Sequence, residues 1–218
     1  MKNNFNVIIL GFLLTLIMVS CENFLDTKPI NFLTPPVAYN TEEQLEASLA
    51  GVYDALGGVN STKGIYSDAM ITYGAIEGDL TFYASTNPTD GPQIYDFSRS
   101  NRFVEYYWSA LYLGIDRANM LLANIDNNPD IDDEVRSVIS GEANFLRGYY
   151  YFLLVQTFGG VPLKLEPSVS ASHADDIAKS SIKEVYSQIL SDMKKSEPLV
   201  MGIGDVKFGG RVNKSAVR

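Results

Sequence analysis

Residues 132–160, DDEVRSVISGEANFLRGYYYFLLVQTFGG, decide the fold. Two aspartates open this stretch, two glycines close it, and no proline interrupts it. Val135, Ile139, Leu146 and Leu153 recur on one side at helical spacing, and Val138, Phe145, Tyr149 and Phe152 on another. The spacing predicts a helix over about 132–157. A helix apolar on more than one face must be buried, so other elements have to surround it. Glu142 and Arg147 sit inside it, where a lone charge would be costly. Five residues apart, they fall on different faces, and each is expected to pair with another helix or to snorkel.

Reading outward, Asp126 to Asp132 forms a short acidic turn around Pro129. Before it, Trp108, Leu111, Tyr112, Ile115, Ala118, Leu122 and Ile125 make one stripe, predicting an amphipathic helix from about Val104 to Ile125. Trp108 reads as core, and Asn119, between Ala118 and Met120, as an interhelical hydrogen bonder. After the central stretch, Val161-Pro162-Leu163 leads away from Gly159-Gly160. Ser181-Ile182-Lys183-Glu184 is a capping box, opening a helix through Val185, Ile189 and Met193 toward Pro198.

A second capping box, Thr41-Glu42-Glu43-Gln44, opens a helix carrying Leu45, Leu49, Val52 and Leu56, with Gly57-Gly58 as its expected left-handed stop. Gly209-Gly210-Arg211 and Asn213 mark the start of one more helix, and the chain reads as truncated there. Helices joined by short turns suggest pairs that pack on their neighbours, as in helical solenoids. The expected fold class is therefore all-α, with tetratricopeptide-like helix pairs and long irregular loops, although no exact 34-residue repeat is present.

The first twenty residues carry one positive charge, Lys2, and an apolar core from Val7 to Val19, followed by small Ser20. This is the pattern of a secretory signal, and its core is shorter than the roughly 20 residues needed to span a bilayer. Cys21, the only cysteine, stands directly behind it. A lipoprotein signal requires a cysteine at that place to take the lipid. Residues 1–20 are thus expected to be a lipoprotein signal peptide, Cys21 the lipidation site, 21–40 a proline-bearing tether, and 41–218 a helical domain. The competing reading is an ordinary signal followed by a free cysteine, and Met18 keeps it open.

With a net charge of −9, the chain is expected to repel phosphate backbones and anionic membrane surfaces, so nucleic-acid binding is disfavoured. One cysteine makes no internal disulfide and one histidine, His173, makes no two-histidine metal site; it reads as a surface loop residue. Asp126, Asn128, Asp130 and Asp132 alternate as in a calcium loop. Ile131 and Ser137 replace the required glycine and glutamate, so a helix-capping turn is the better reading. Gly202-Ile203-Gly204 lacks its third glycine, with Lys207 in that place. A carboxylate pair such as Glu77 and Asp79 is the remaining catalytic option, and adjacency alone does not make it one. No cofactor or metal is expected, and the chain reads as a non-enzyme.

Residues 59–101 lose the helical period, with one helix expected near Ser67 to Ala75. Long loops in compact domains are usually functional. Tyr83, Asn87, Asp90, Tyr95 and Phe97 combine aromatic faces with amide and carboxylate groups, the composition a carbohydrate site needs. For each of them, packing of the loop onto the helices is the alternative.

Several segments together resemble the SusD/RagB family of Bacteroidota outer-membrane lipoproteins. These are Cys21-Glu22-Asn23-Phe24-Leu25-Asp26-Thr27-Lys28-Pro29, the run from Glu142 through Phe152 into Phe158-Gly159-Gly160-Val161-Pro162-Leu163, Trp108 through Asn119, and Gly210-Arg211-Val212-Asn213-Lys214. Asn144 and Gly148 stand where the family more often has arginine and alanine, and members continue well beyond Arg218. The resemblance implies a surface-exposed, lipid-anchored outer-membrane protein. It would bind glycans, or in some members peptides, and work with a TonB-dependent SusC-like transporter in uptake. The rival reading is a helical scaffold lipoprotein facing the periplasm and binding proteins.

Overall fold

The structure, a computed structural model, describes residues 38–57, 64–66, 102–168, 177–205 and 209–218, all within one compact unit, Thr34–Arg218. Among the described residues the helices are α1 (Glu42–Gly57), α2 (Arg102–Asn124), α3 (Asp133–Phe158), α4 (Ile182–Ser196) and the single turn α5 (Lys214–Val217). The described residues form no strand beyond one antiparallel bridge between Pro162 and Lys179. The fold is all-α with tetratricopeptide-like helix pairs, as the hydrophobic periodicity predicts.

Both capping boxes form. Thr41 Oγ1 accepts from the Gln44 amide at 3.3 Å, and Gln44 Oε1 accepts from the Thr41 and Asn40 amides at 3.2 and 2.8 Å. Ser181 and Glu184 do the same for α4, at 3.3 and 2.7 Å. Each box satisfies amides that a helix start otherwise leaves without partners. Asp132 caps α3 by accepting from the Glu134 amide at 2.7 Å, and Asn213 caps α5 through Ser215 at 2.9 Å. Asn128 Oδ1 closes the preceding turn on the Asp130 amide at 3.0 Å, which gives the acidic alternation its role as a helix-to-helix turn.

α3 is the hub, packing against α1, α2 and α4, while α1 also packs against α2. Fully buried Leu45, Leu49 and Val52 of α1, Leu111, Ile115 and Leu121 of α2, and Ile139, Leu146 and Leu154 of α3 form the centre, with Val185 from α4. Each such side chain contributes about 1.5–3 kcal/mol by leaving water. Tyr150 and Tyr151 are the largest fully buried side chains, whereas Tyr149 and Phe152, on the predicted second face, are half-buried. The deeper pair is tolerated because each hydroxyl reaches a backbone carbonyl, Val52 O at 2.6 Å and Lys164 O at 2.7 Å. Trp108 is also half-buried, its ring edge-on to Phe158 at 5.0 Å.

The two tightest approaches to a described glycine are at Gly160 and Gly114. A Cβ on Gly114 would lie 2.5 Å from the Tyr150 ring, and one on Gly160 would lie 2.2 Å from Ser180 O. Gly159 ends α3 with φ 72°, its amide bonded to Val155 O at 3.0 Å. The expected left-handed stop at Gly57 is not found: α1 runs through Gly57, and among the described glycines only Gly159 and Gly210 have positive φ. Gly57 is still inside the last helical turn, and Gly58 lies outside the described residues.

Candidate functional site

The residues expected to bind ligand, Tyr83, Asn87, Asp90, Tyr95 and Phe97, lie outside the described residues, as do Cys21, His173, the Glu77 and Asp79 pair and the helix expected near 67–75. What the structure supplies is the frame that carries their segment. It leaves the end of α1 and returns at the start of α2, and those helices pack together. Near its beginning Ile65 is fully buried in the core, and the Tyr66 hydroxyl bonds the Tyr149 hydroxyl on α3. Phe145 and Tyr149 stack in parallel there, 6.0 Å between centroids.

The charged residues inside α3 both find partners on other elements. Arg147 Nε and Nη2 grip both oxygens of Asp192 on α4 at 2.9 and 2.7 Å, and its Nη1 donates to Asn119 Oδ1 on α2 at 3.0 Å. Asn119 Nδ2 then donates to Lys164 O and Glu166 O at 3.0 and 3.3 Å. One network thus ties α2, α3, α4 and the segment leaving α3. Tyr112 Oη joins it by donating to Pro162 O at 2.7 Å. Every acceptor and donor is aimed at protein, so this cluster positions helices and is not a ligand site.

Glu142 meets Arg211, whose Nε lies 3.0 Å from both of its carboxylate oxygens and whose Nη2 lies 2.7 Å from Oε1. Arg211 Nη1 donates to both oxygens of Glu46 on α1, at 3.1 and 3.0 Å. Burial alone lowers the Arg211 guanidinium, but the hydrogen bonds and charges of Glu142 and Glu46 outweigh it and leave the group raised. Tyr53 Oη donates to Glu142 Oε2 at 2.5 Å and accepts from the Val212 amide at 2.9 Å. Burial and then the Glu142 hydrogen bond push its phenol up, so it stays a neutral donor.

Above this cluster a cleft of about 180 Å³ is floored by Val135, Val138, Ile139, Met201 and Val212 and rimmed by Glu42, Asp132 and Glu134. Ligand pockets generally run to about 300–1,000 Å³. The cleft is below that range, and its carboxylates serve helix starts and the Arg211 clamp. No group of three or more metal-ligating side chains occurs among the described residues, and none of their helices is long and apolar enough to cross a membrane.

Comparison with known proteins gives the family. A SusD-like family model, described as starch-binding associating with outer membrane, matches residues 23–218. The chain belongs to the SusD-like family. Among curated relatives, SusD-like protein P25 of Formosa agariphila is 26% identical over 220 residues, covering 97% of this chain and 41% of that protein. A SusD-like carbohydrate-binding protein of Bacteroides fragilis superposes with TM-score 0.67 at 21% identity, over 82% of this chain and 36% of its own. A laminarin-binding SusD-like protein superposes with TM-score 0.62 at 26% identity, over 82% and 38%. The chain therefore spans about two fifths of the length of its relatives.

Proposed function

We propose that this SusD-like chain is the N-terminal helical part of a non-catalytic surface lipoprotein. It captures glycans and passes them to a TonB-dependent SusC-like transporter in the outer membrane. The carrying observation is the family match across residues 23–218, to a family described as starch-binding and outer-membrane associated. The laminarin-binding protein among its structural relatives supports a glycan ligand. In this reading Cys21 carries the lipid, residues 1–20 are removed, residues 21–40 form the tether and 41–218 the helical domain.

Tyr83, Asn87, Asp90, Tyr95 and Phe97 would supply the stacking faces and polar partners for sugar rings. Ile65 and Tyr66, which precede these residues in the chain, pack on the helical core. Glycan-array binding of the complete gene product is the test. Binding is expected, and it should fall at least ten-fold in a Tyr83→Ala/Tyr95→Ala variant. No glycan binding by the parent protein would defeat the reading, and unchanged affinity in the variant would remove those two residues from it. Mass spectrometry showing an unacylated Cys21 would refute the anchor.

A further inference from the structure

Among the described residues, none packs over the apolar patch on the outer face of α4. α4 buries Val185, Ile189, Asp192 and Ser196 against its neighbours. On its outer side Ile182, Tyr186 and Leu190, spaced four apart, are 53%, 40% and 57% exposed. Lys183 and Lys194 run along one side of this stripe, within about 40° of Leu190 at roughly 100° per residue. Lys179 is exposed just before the helix. None of these lysines has an ion-pair partner among the described residues. Of the acids of α4, Asp192 lies under Arg147, and Glu184 caps the helix through Ser181 while keeping its charge, so exposed Lys179, Lys183, Lys194 and Lys195 still outnumber it.

We propose that this face rests on an anionic lipid surface. Lysines beside an apolar stripe that contains a tyrosine are the pattern of a helix lying at a membrane interface. The net charge of −9 argues the other way only at long range. Screening at physiological salt cuts off beyond about 8 Å, so a surface in contact with α4 meets the local lysines first. Ile182 and Leu190 offer nothing to sugar hydroxyls, which separates this face from the glycan site. A single convex helix face also lacks the groove that peptide recognition uses. The inference goes beyond glycan binding and takes from the proposed anchor only proximity. Seventeen residues from Cys21 to the first described residue reach at most about 60 Å, which keeps the body near the bilayer.

The experiment is vesicle co-sedimentation of the full chain carrying Cys21→Ala, so that no acyl group contributes. Vesicles of phosphatidylcholine alone are compared with a mixture containing about one quarter phosphatidylglycerol. Preferential partitioning to the anionic vesicles is expected, weakening in high salt. A Lys183→Gln/Lys194→Gln variant should lose about five-fold per lysine, or roughly 25-fold. A Leu190→Ser variant should lose binding while its circular dichroism and urea midpoint stay unchanged. The first twenty residues are common to all these proteins, so only differences between them are read. Equal binding to both vesicle types, or an unchanged double variant, would overturn the proposal. Glycan binding by the same proteins is scored separately, so the two readings can fail independently.

Discussion

Replacing Arg147 with methionine tests the physical core of this fold. The guanidinium is 8% exposed and the Asp192 carboxylate 0%, joined by two hydrogen bonds of 2.9 and 2.7 Å. With methionine at 147, Asp192 keeps only Gln188 Nε2, at 2.9 Å, and Asn119 Oδ1 loses its donor. Removing one partner of a buried pair costs about 3–5 kcal/mol, because an unpaired charge is left in a poorly solvating interior. Domain stabilities are about 5–15 kcal/mol, so a large share of the total is at stake. At about 2–4 °C per kcal/mol for a domain of this size, the melting temperature should fall by about 6–20 °C. Urea unfolding followed by far-ultraviolet circular dichroism measures it. A paired Arg147→Met/Asp192→Leu variant removes both charges and should recover most of the loss, since apolar replacements of buried pairs are often neutral. A single-variant cost below about 1 kcal/mol, or no recovery in the double variant, would show that the pair is not coupled as the geometry requires.

Three further predictions follow from individual contacts. Gly114→Ala would press a methyl to within 2.5 Å of the Tyr150 ring, which its bond to Val52 O holds in place, so a loss of about 1–3 kcal/mol is expected in thermal melts; a stabilised variant would mean that α2 and α3 do not approach as described. Ser181→Ala removes the α4 cap and should cost about 1 kcal/mol in urea titration, with Ser181→Gly costing less. Burial raises the phenols of Tyr53, Tyr112, Tyr150 and Tyr151 above their ordinary 10.0. Their stabilising contribution is therefore complete below pH 10 and declines at higher pH, where the unfolded chain ionises first. The urea midpoint should drop steeply in that range and less steeply in Tyr150→Phe; an identical slope in that variant would contradict the assignment.

The sequence alone set out the helices because the necessary signals are local. Thr41, Asp132, Ser181 and Asn213 cap within three residues of themselves, and the apolar stripes of α1, α2 and α3 repeat every three or four positions. The same run of residues also carried the family resemblance that the SusD-like match bears out. Partners were not legible: Glu142 and Arg147 announced that they needed counterions, but Arg211 and Asp192 lie 69 and 45 residues away. Nor did periodicity distinguish Tyr150 and Tyr151 from their neighbours, since their depth depends on carbonyls of Val52 and Lys164 brought near by packing. The apolar stripe on α4 was hidden for the same reason. A helix shows from its own sequence that it has apolar faces, but only the arrangement of its neighbours determines which of those faces is covered and which is left to the solvent.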